Sequence, residues 1–263
     1  MNVMLKVKDI VSYFEKICPF SLCEEWDNTG LLIGDENAGV TRILVCLDVD
    51  EFVAREAADK KCELIVSHHP VIFHPLKKIR ANSCEGILIK NGISVVSAHT
   101  NLDVANGGLN DYLAEKLGLE NPEILVPTGE FDGKTVGYGR FAKLKNPEKL
   151  IDIAKKCAEI LGDENLRYMG DGDRIIEKIA VNSGGGASMA DACFDKNIGL
   201  YISGDFKYSN MRDCAQRGLC VIDAGHYETE HIVCEWFEKV LSKQFDAEII
   251  KSEKNTNVIK YLH

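Results

Sequence analysis

Short apolar runs that stop at histidine and alternate with amphipathic stretches constrain this chain most. TRILVCLDV (41–49) reads as a buried strand, and DEFVAREAADKK (50–61) behind it has helical apolar spacing. ELIVSHH (63–69) and GISVVSAHT (92–100) are further strands, and GGLNDYLAEKLGL (107–119) is a helix closed at Gly118. VKDIVSYFEKI (7–17) has helical spacing ahead of them. Continuous apolar strands separated by helices predict βαβ units and a mostly parallel sheet. The fold class is therefore α/β.

The character changes at NPEILVPTGEFDG (121–133), which is rich in turn residues and reads as a boundary. Beyond it, 134–144 reads as a strand, 146–161 as a helix, 177–197 as strand, glycine turn and helix, 199–204 as a strand and 205–218 as a helix. LCVIDAGH (219–226) is a further strand, and 228–245 has the spacing of one helix.

Three predicted strands end in histidine: His68 and His69 in VSHHP, His99 in VVSAHTNLD, and His226 in VIDAGHYETE. In open parallel sheets, ligands gather at the carboxyl ends of strands. Asp103 follows His99 by four residues, and Glu230 follows His226 by four. A helix starting near Tyr227 would put His226 and Glu230 on one face. Asn101 and Asn106–Gly107 suggest a loop for the His99–Asp103 pair. His68 and His69 would point oppositely in a straight strand, unless the chain turns at Pro70 or each serves a different metal. The donors are nitrogen and oxygen, with no thiolate. That suits zinc, manganese, iron, cobalt or nickel without choosing among them. Five or six donors exceed what one tetrahedral ion needs, so two divalent cations per chain fit better. His231 lies about 140° round the helix from His226 and faces elsewhere. His74, in VIFHP, is either a group near the site or a surface loop residue.

The glycine run in VNSGGGASMAD (181–191) lacks the ending of a P-loop. It reads either as a phosphate-binding turn or as a tight strand-to-helix turn. Asp205 and Lys207 are explained equally well as a helix cap and a solvated lysine.

Charge and cysteine narrow the function classes. A formal net charge of −10 repels nucleic-acid phosphates, so no nucleic-acid partner is expected. The ten cysteines are scattered through apolar runs with no CxxC spacing, as reduced core residues of a cytoplasmic protein would be. No apolar stretch approaches the roughly 18–20 residues needed to span a bilayer, so no membrane association is expected.

The stretches 19–35, VSHHPVIFHPLKKI (66–79), SAHTNLDVANGGLND (97–111), GYGR (137–140), GGGASMADA (184–192), SGDFKY (203–208) and IDAGHYETE (222–230) together resemble the NGG-interacting-factor-three-like family, also known as GTP cyclohydrolase I type 2 homologues. The resemblance implies a dinuclear metal site at His68, His69, Asp103, His226 and Glu230, with His99 close by. It also implies two interlocked α/β lobes and a ring-like homohexamer. Ser209 stands where many relatives carry histidine. For His226 and Glu230 to meet His68, the chain should divide near residue 126, with 1–126 and 219–263 forming the metal-binding lobe and 127–218 the second.

The function expected on this basis is a dinuclear metal-dependent hydrolase acting on a nucleotide or another heterocycle, with GTP cyclohydrolase chemistry the named candidate. His99 would orient Asp103 or carry a proton, and Glu228 is a candidate general acid or simply a helix-start charge. The alternative is a non-catalytic protein that binds or delivers divalent metal with the same residues.

Overall fold

The computed structural model describes residues 4–163 and 165–262. The chain forms two compact α/β units. One holds the residues up to Ala105 together with Val233–Val258, and the other holds Asn106–Ile232 and the residues from Ile259.

The first unit is built on a five-stranded sheet in the order Gly30–Ile33, Ser94–Ser97, Leu64–Ser67, Arg42–Cys46, Glu248–Lys251. Only the Gly30–Ile33 edge runs antiparallel to its neighbour. Leu44, Ile65 and Val95 of its strands pack on Val53, Ala54 and Ala57 of helix Glu51–Asp59 and on Leu88 of helix Cys84–Asn91. Helix Glu51–Asp59 starts where Asp50 accepts the amides of Phe52 and Val53, both at 2.8 Å. Phe14 of helix Val7–Ile17 meets Phe237 of helix Val233–Gln244 edge to face at 5.9 Å. Apart from Arg42, every residue of the three inner strands is buried, as the continuous apolar runs predicted.

The second unit has a six-stranded sheet in the order Glu123–Phe131, Lys134–Lys149, Ile175–Gly185, Leu200–Gly204, Cys220–Asp223, Arg167–Met169. Ile175–Gly185, Leu200–Gly204 and Cys220–Asp223 are mutually parallel, and the other pairings are antiparallel.

Four local expectations are corrected. Residues 121–133 are not merely a boundary, because Glu123–Phe131 pairs with Lys134–Lys149 across a hairpin. Asp132 and Gly133 both have positive φ there, 51° and 69°, and Asp-Gly is the pair such a tight turn favours. The stretch 228–245 is two helices, His226–His231 and Val233–Gln244. The chain passes from the second unit back to the first between them, so the return falls at Val233 rather than at 219. Cys220–Asp223 is a strand of the second sheet, hydrogen-bonded on both sides, and it carries His226 and Glu230 into that unit. Helix Cys84–Asn91, capped by Ser83 and ended by Gly92 at φ 67°, had no counterpart in the sequence reading.

Eight of the ten cysteines are buried. Burial pushes the thiols of Cys157, Cys193 and Cys234 up to about 12, so they stay protonated and inert. No helix among the described residues is long and apolar enough to cross a membrane.

Arg140 of the GYGR stretch is the largest fully buried side chain. Its guanidinium grips Asp111 with two hydrogen bonds, of 2.6 and 2.9 Å, and donates to the carbonyls of Gly137 and Gly139. Both residues belong to the second unit, so the pair ties helix Leu109–Lys116 to its sheet. Asp111→Asn removes the charge opposite a buried cation. Because Asp111 retains some solvent, the expected loss is about 2 kcal/mol, below the range for a fully buried pair. Urea unfolding should read this as a lower midpoint with unchanged slope.

Candidate metal centre

In the first unit the Leu64–Ser67 strand ends one residue before His68. The Ser67 hydroxyl donates to the His69 carbonyl at 2.9 Å and bends the chain there. His68 and His69 therefore leave the strand on the same side, with ring centroids 5.2 Å apart and planes tilted by 37°. This resolves the alternation problem: the chain turns before Pro70. Residues Thr100–Val104 form a short helix, where a loop was expected, with His99 at its N-cap. The helix places Asp103 one turn above His99, its amide bonded to the His99 carbonyl at 3.1 Å. His99 lies edge-on to both neighbours, 5.2 Å from His68 and 5.4 Å from His69. One nitrogen of each of the three rings falls within 4.8 Å of the others, close enough for one cation. Asp103 Oδ1 is 3.7 Å from His68 Nε2.

Each of these rings is anchored from behind. His68 Nδ1 donates to the Ala98 carbonyl at 2.8 Å, which fixes its proton on Nδ1, because a carbonyl only accepts. His69 Nδ1 donates to Asp48 at 2.6 Å, and Asp48 in turn accepts the Thr256 hydroxyl. His99 Nδ1 donates to Asp27 at 2.8 Å. Burial would raise the Asp27 carboxyl, but hydrogen bonds from His99, Thr100 and the Asn28 amide outweigh it and hold it at about 2.

The second unit repeats the device. Gly225, at φ 79°, starts helix His226–His231, and the i, i+4 spacing sets His226 Nε2 2.9 Å from Glu230 Oε2. His226 Nδ1 donates to Asp205 at 2.7 Å. Glu230 is buried and His226 is half-buried. Four histidines on two units thus have Nδ1 occupied by an acceptor, and the Nε2 atoms of His68 and His226 face the carboxylates of Asp103 and Glu230. That is how metal-ligating imidazoles are held, with the back nitrogen fixing tautomer and aim. Nitrogen and carboxylate donors with such backing fit a divalent cation.

The glycine run packs against this site. Gly184 sits at φ 61°, and a Cβ there would lie 2.0 Å from Glu230 Oε1 and 3.3 Å from His226 Nε2. A Cβ on Gly204 would meet Gly225 and the His226 amide at 2.7 Å. The Gly184 amide donates to the Thr229 hydroxyl at 2.9 Å, locking the strand end onto the helix that carries the donors. The helix beyond the run, Ala190–Asp195, is only six residues long.

Glu228 folds back over Gly225, where its Oε2 occupies the place a Cβ would take. His231 stacks on Tyr227 at 4.8 Å. His74 is exposed on the loop after Pro70, next to Phe73. Sequence reasoning missed the three outer carboxylates Asp27, Asp48 and Asp205. Asp205 was visible only as a candidate helix cap, whereas the N-cap of helix Tyr208–Gln216 is Lys207 and Asp205 accepts from His226 Nδ1 instead.

The metal-free His226 has a carboxylate on each ring nitrogen, Glu230 foremost and then Asp205, and together they raise it to about 9 against the cost of burial. The raised value means that the ring is charged at neutral pH, with a proton between Nε2 and Glu230 where a cation would sit. Metal binding here must expel that proton. Apparent affinity should therefore rise about tenfold per pH unit from pH 7 until it levels off near 9. Calorimetric titration with Zn²⁺ in buffers of different ionisation enthalpy should show about one proton released per cation at pH 7.5. Affinity that is flat across this range would contradict the assignment.

A Clostridium perfringens protein named "GTP cyclohydrolase 1 type 2 homolog" is 35% identical over 264 residues, covering 98% of this chain and all of the relative. The structure of a Bacillus cereus protein related to NIF3 superposes with a TM-score of 0.88 at 26% identity, covering 99% of this chain and 100% of that one. Reduced HcgD from Methanocaldococcus jannaschii superposes with a TM-score of 0.79 at 30% identity, covering 96% and 99%. Residues 5–258 match the model of Duf34/NIF3 (NGG1p interacting factor 3), and the chain belongs to that family.

Proposed function

We propose that the chain is a dinuclear metal-dependent hydrolase acting on a nucleotide or related heterocycle, with GTP the leading candidate. The observation that carries this reading is the shared anchoring of His68, His69, His99 and His226, each aimed by an acceptor on Nδ1. In this reading His68, His69, Asp103, His226 and Glu230 are the donors for two divalent cations per chain. Such a pair supplies Lewis acidity and makes water acidic enough to attack near neutral pH.

The remaining roles fall to the chain's own groups. Asp27 stays ionised and accepts from His99 Nδ1, which orients that ring as the proposed proton carrier. Glu228, in the first turn of the helix that carries His226 and Glu230, is the proposed general acid. The names borne by relatives supply the GTP candidate. The proposed assembly is a homohexamer in the cytoplasm, an expectation that light scattering tests directly.

The second reading is metal delivery without turnover. It is favoured by the part-exposure of His69 and His226, which leaves the donors open to exchange. One experiment separates the two. The purified protein is analysed for metal, stripped, reloaded with each of zinc, manganese, iron, cobalt and nickel, and assayed with GTP and a nucleotide panel. About two cations per chain and turnover with at least one metal are expected. Full metal loading with no turnover of any nucleotide would leave delivery as the function.

A further inference from the structure

The exposed surface beside His99 is not explained by metal binding. Trp26 is 60% exposed, and its ring lies 6.0 Å from that of Phe73, itself 39% exposed. Trp26 also meets the His99 ring edge-on at 6.2 Å. Large aromatic rings left in water carry a hydration cost, and a planar ligand stacked on them would relieve it.

The pair is held in place. Asn28 Nδ2 donates to the Ile72 carbonyl at 2.5 Å, tying the Trp26 segment to the base of the Phe73 loop. The Glu24 amide donates to Thr100 Oγ1 at 3.0 Å, and Thr100 Oγ1 donates to Asp27 at 2.5 Å. Trp26 is thus pinned on both sides to the element that carries His99.

The loop also inverts the charge of the molecule. Residues 70–83 carry Lys77, Lys78 and Arg80 and no acidic residue, in a chain of net charge −10. All three cations are exposed, and none makes a salt bridge among the described residues. Lys77 is four residues from Phe73, so their Cα atoms lie within about 14 Å of each other. The lysine side chain can therefore reach a polyanion attached to a ring stacked beside Phe73.

We propose that Trp26 and Phe73 form the stacking platform for a purine base, and that Lys77, Lys78 and Arg80 take the phosphates of the same nucleoside polyphosphate. The proposal deepens the hydrolase reading by naming the residues that would hold the substrate against His99. It rests on that reading only for the consequence of binding, not for binding itself. Base–aromatic stacking is worth about tenfold or more in affinity, and every base has a face for it. Purines stack with the larger area, and the cations select polyphosphate over free nucleoside.

The test uses the protein's own fluorescence. Of its two tryptophans, Trp26 is exposed and Trp236 is buried, so a ligand on the platform quenches one signal only. GTP, ATP, guanosine and inorganic triphosphate are titrated into the metal-stripped and metal-loaded protein. GTP and ATP should quench in both forms, guanosine more weakly, and triphosphate should bind without quenching. Trp26→Leu should abolish the quench and weaken GTP binding, followed by calorimetry, by roughly tenfold. Metal content should be unchanged. Lys77→Ala with Lys78→Ala should erase the preference for GTP over guanosine and its salt dependence. No quench by any purine nucleotide, or equal GTP affinity in wild type and Trp26→Leu, would overturn the proposal. An assembly mass altered in Trp26→Leu without any nucleotide binding would overturn it too, and would assign the patch to contact between copies. Quenching without turnover keeps the platform and removes the hydrolase. Turnover with KM unchanged in Trp26→Leu keeps the hydrolase and removes the platform.

Discussion

Gly184→Ala should cost the protein roughly a hundredfold or more in divalent-metal affinity while leaving it folded. The added carbon would sit 2.0 Å from Glu230 Oε1 and 2.9 Å from its Cδ. Glu230 is buried, with its carboxylate against His226, so it cannot swing away without leaving the imidazole. Displacing a group that aims a metal ligand typically costs 10- to 100-fold, and here both donors of the second unit are pushed. The left-handed backbone adds about 1 kcal/mol of strain for any residue with a Cβ. Gly133→Ala provides the control for that strain. It also has positive φ, 69°, but meets nothing within 4 Å. Both variants should lose a few degrees of melting temperature, and only Gly184→Ala should lose bound metal on elemental analysis. Full metal content in Gly184→Ala would show that the glycine run has no part in the site.

The sequence spoke clearly where one physical signal dominated. Continuous apolar strands and capped amphipathic helices gave Arg42–Cys46, Glu51–Asp59, Leu64–Ser67 and Val7–Ile17 within a few residues, because burial on both faces leaves no other reading. The strand-end histidines were legible for the same reason, since a polar ring at the end of a buried run has few structural uses. The misses arose where two signals competed. Glu123–Phe131 carries Pro127 and Gly129, and the pairing register shifts between them, so turn composition masked an edge strand. In helix Thr100–Val104 the asparagine read as a loop residue instead spends its side chain on the Cys18 carbonyl, a tertiary bond no local pattern encodes. The assignment of His226 and Glu230 to the first lobe failed on sheet pairing. Cys220–Asp223 looks like any buried strand, and only its register with Leu200–Gly204 and Arg167–Met169 fixes the unit it joins. Asp27, Asp48 and Asp205 were invisible as anchors because each lies at least 21 residues from the ring it holds.

Asp27→Asn should lower turnover of the metal-loaded protein on the order of a hundredfold without lowering its metal content, if the hydrolase reading holds. The wild-type carboxylate accepts from His99 Nδ1 and the Asn28 amide on one oxygen and from the Thr100 amide and hydroxyl on the other. It is held at about 2, well below the usual carboxylate range, so it remains charged across any working pH. The sign follows from that depression. Its stabilising contribution is complete above about pH 4 and is lost only as pH falls through about 2. Asparagine nearly preserves the shape and can still hold the ring, but in either orientation of the amide the negative charge is gone. The charge that would balance a proton passing through His99 in the transition state is therefore lost. The turnover number should therefore fall while KM stays unchanged, a split that a purely structural role for Asp27 would not produce. Because His68, His69 and Asp103 keep their own anchors, elemental analysis should still find the wild-type amount of metal. An undiminished turnover number in Asp27→Asn would show that the Asp27–His99 pair carries no proton in the reaction.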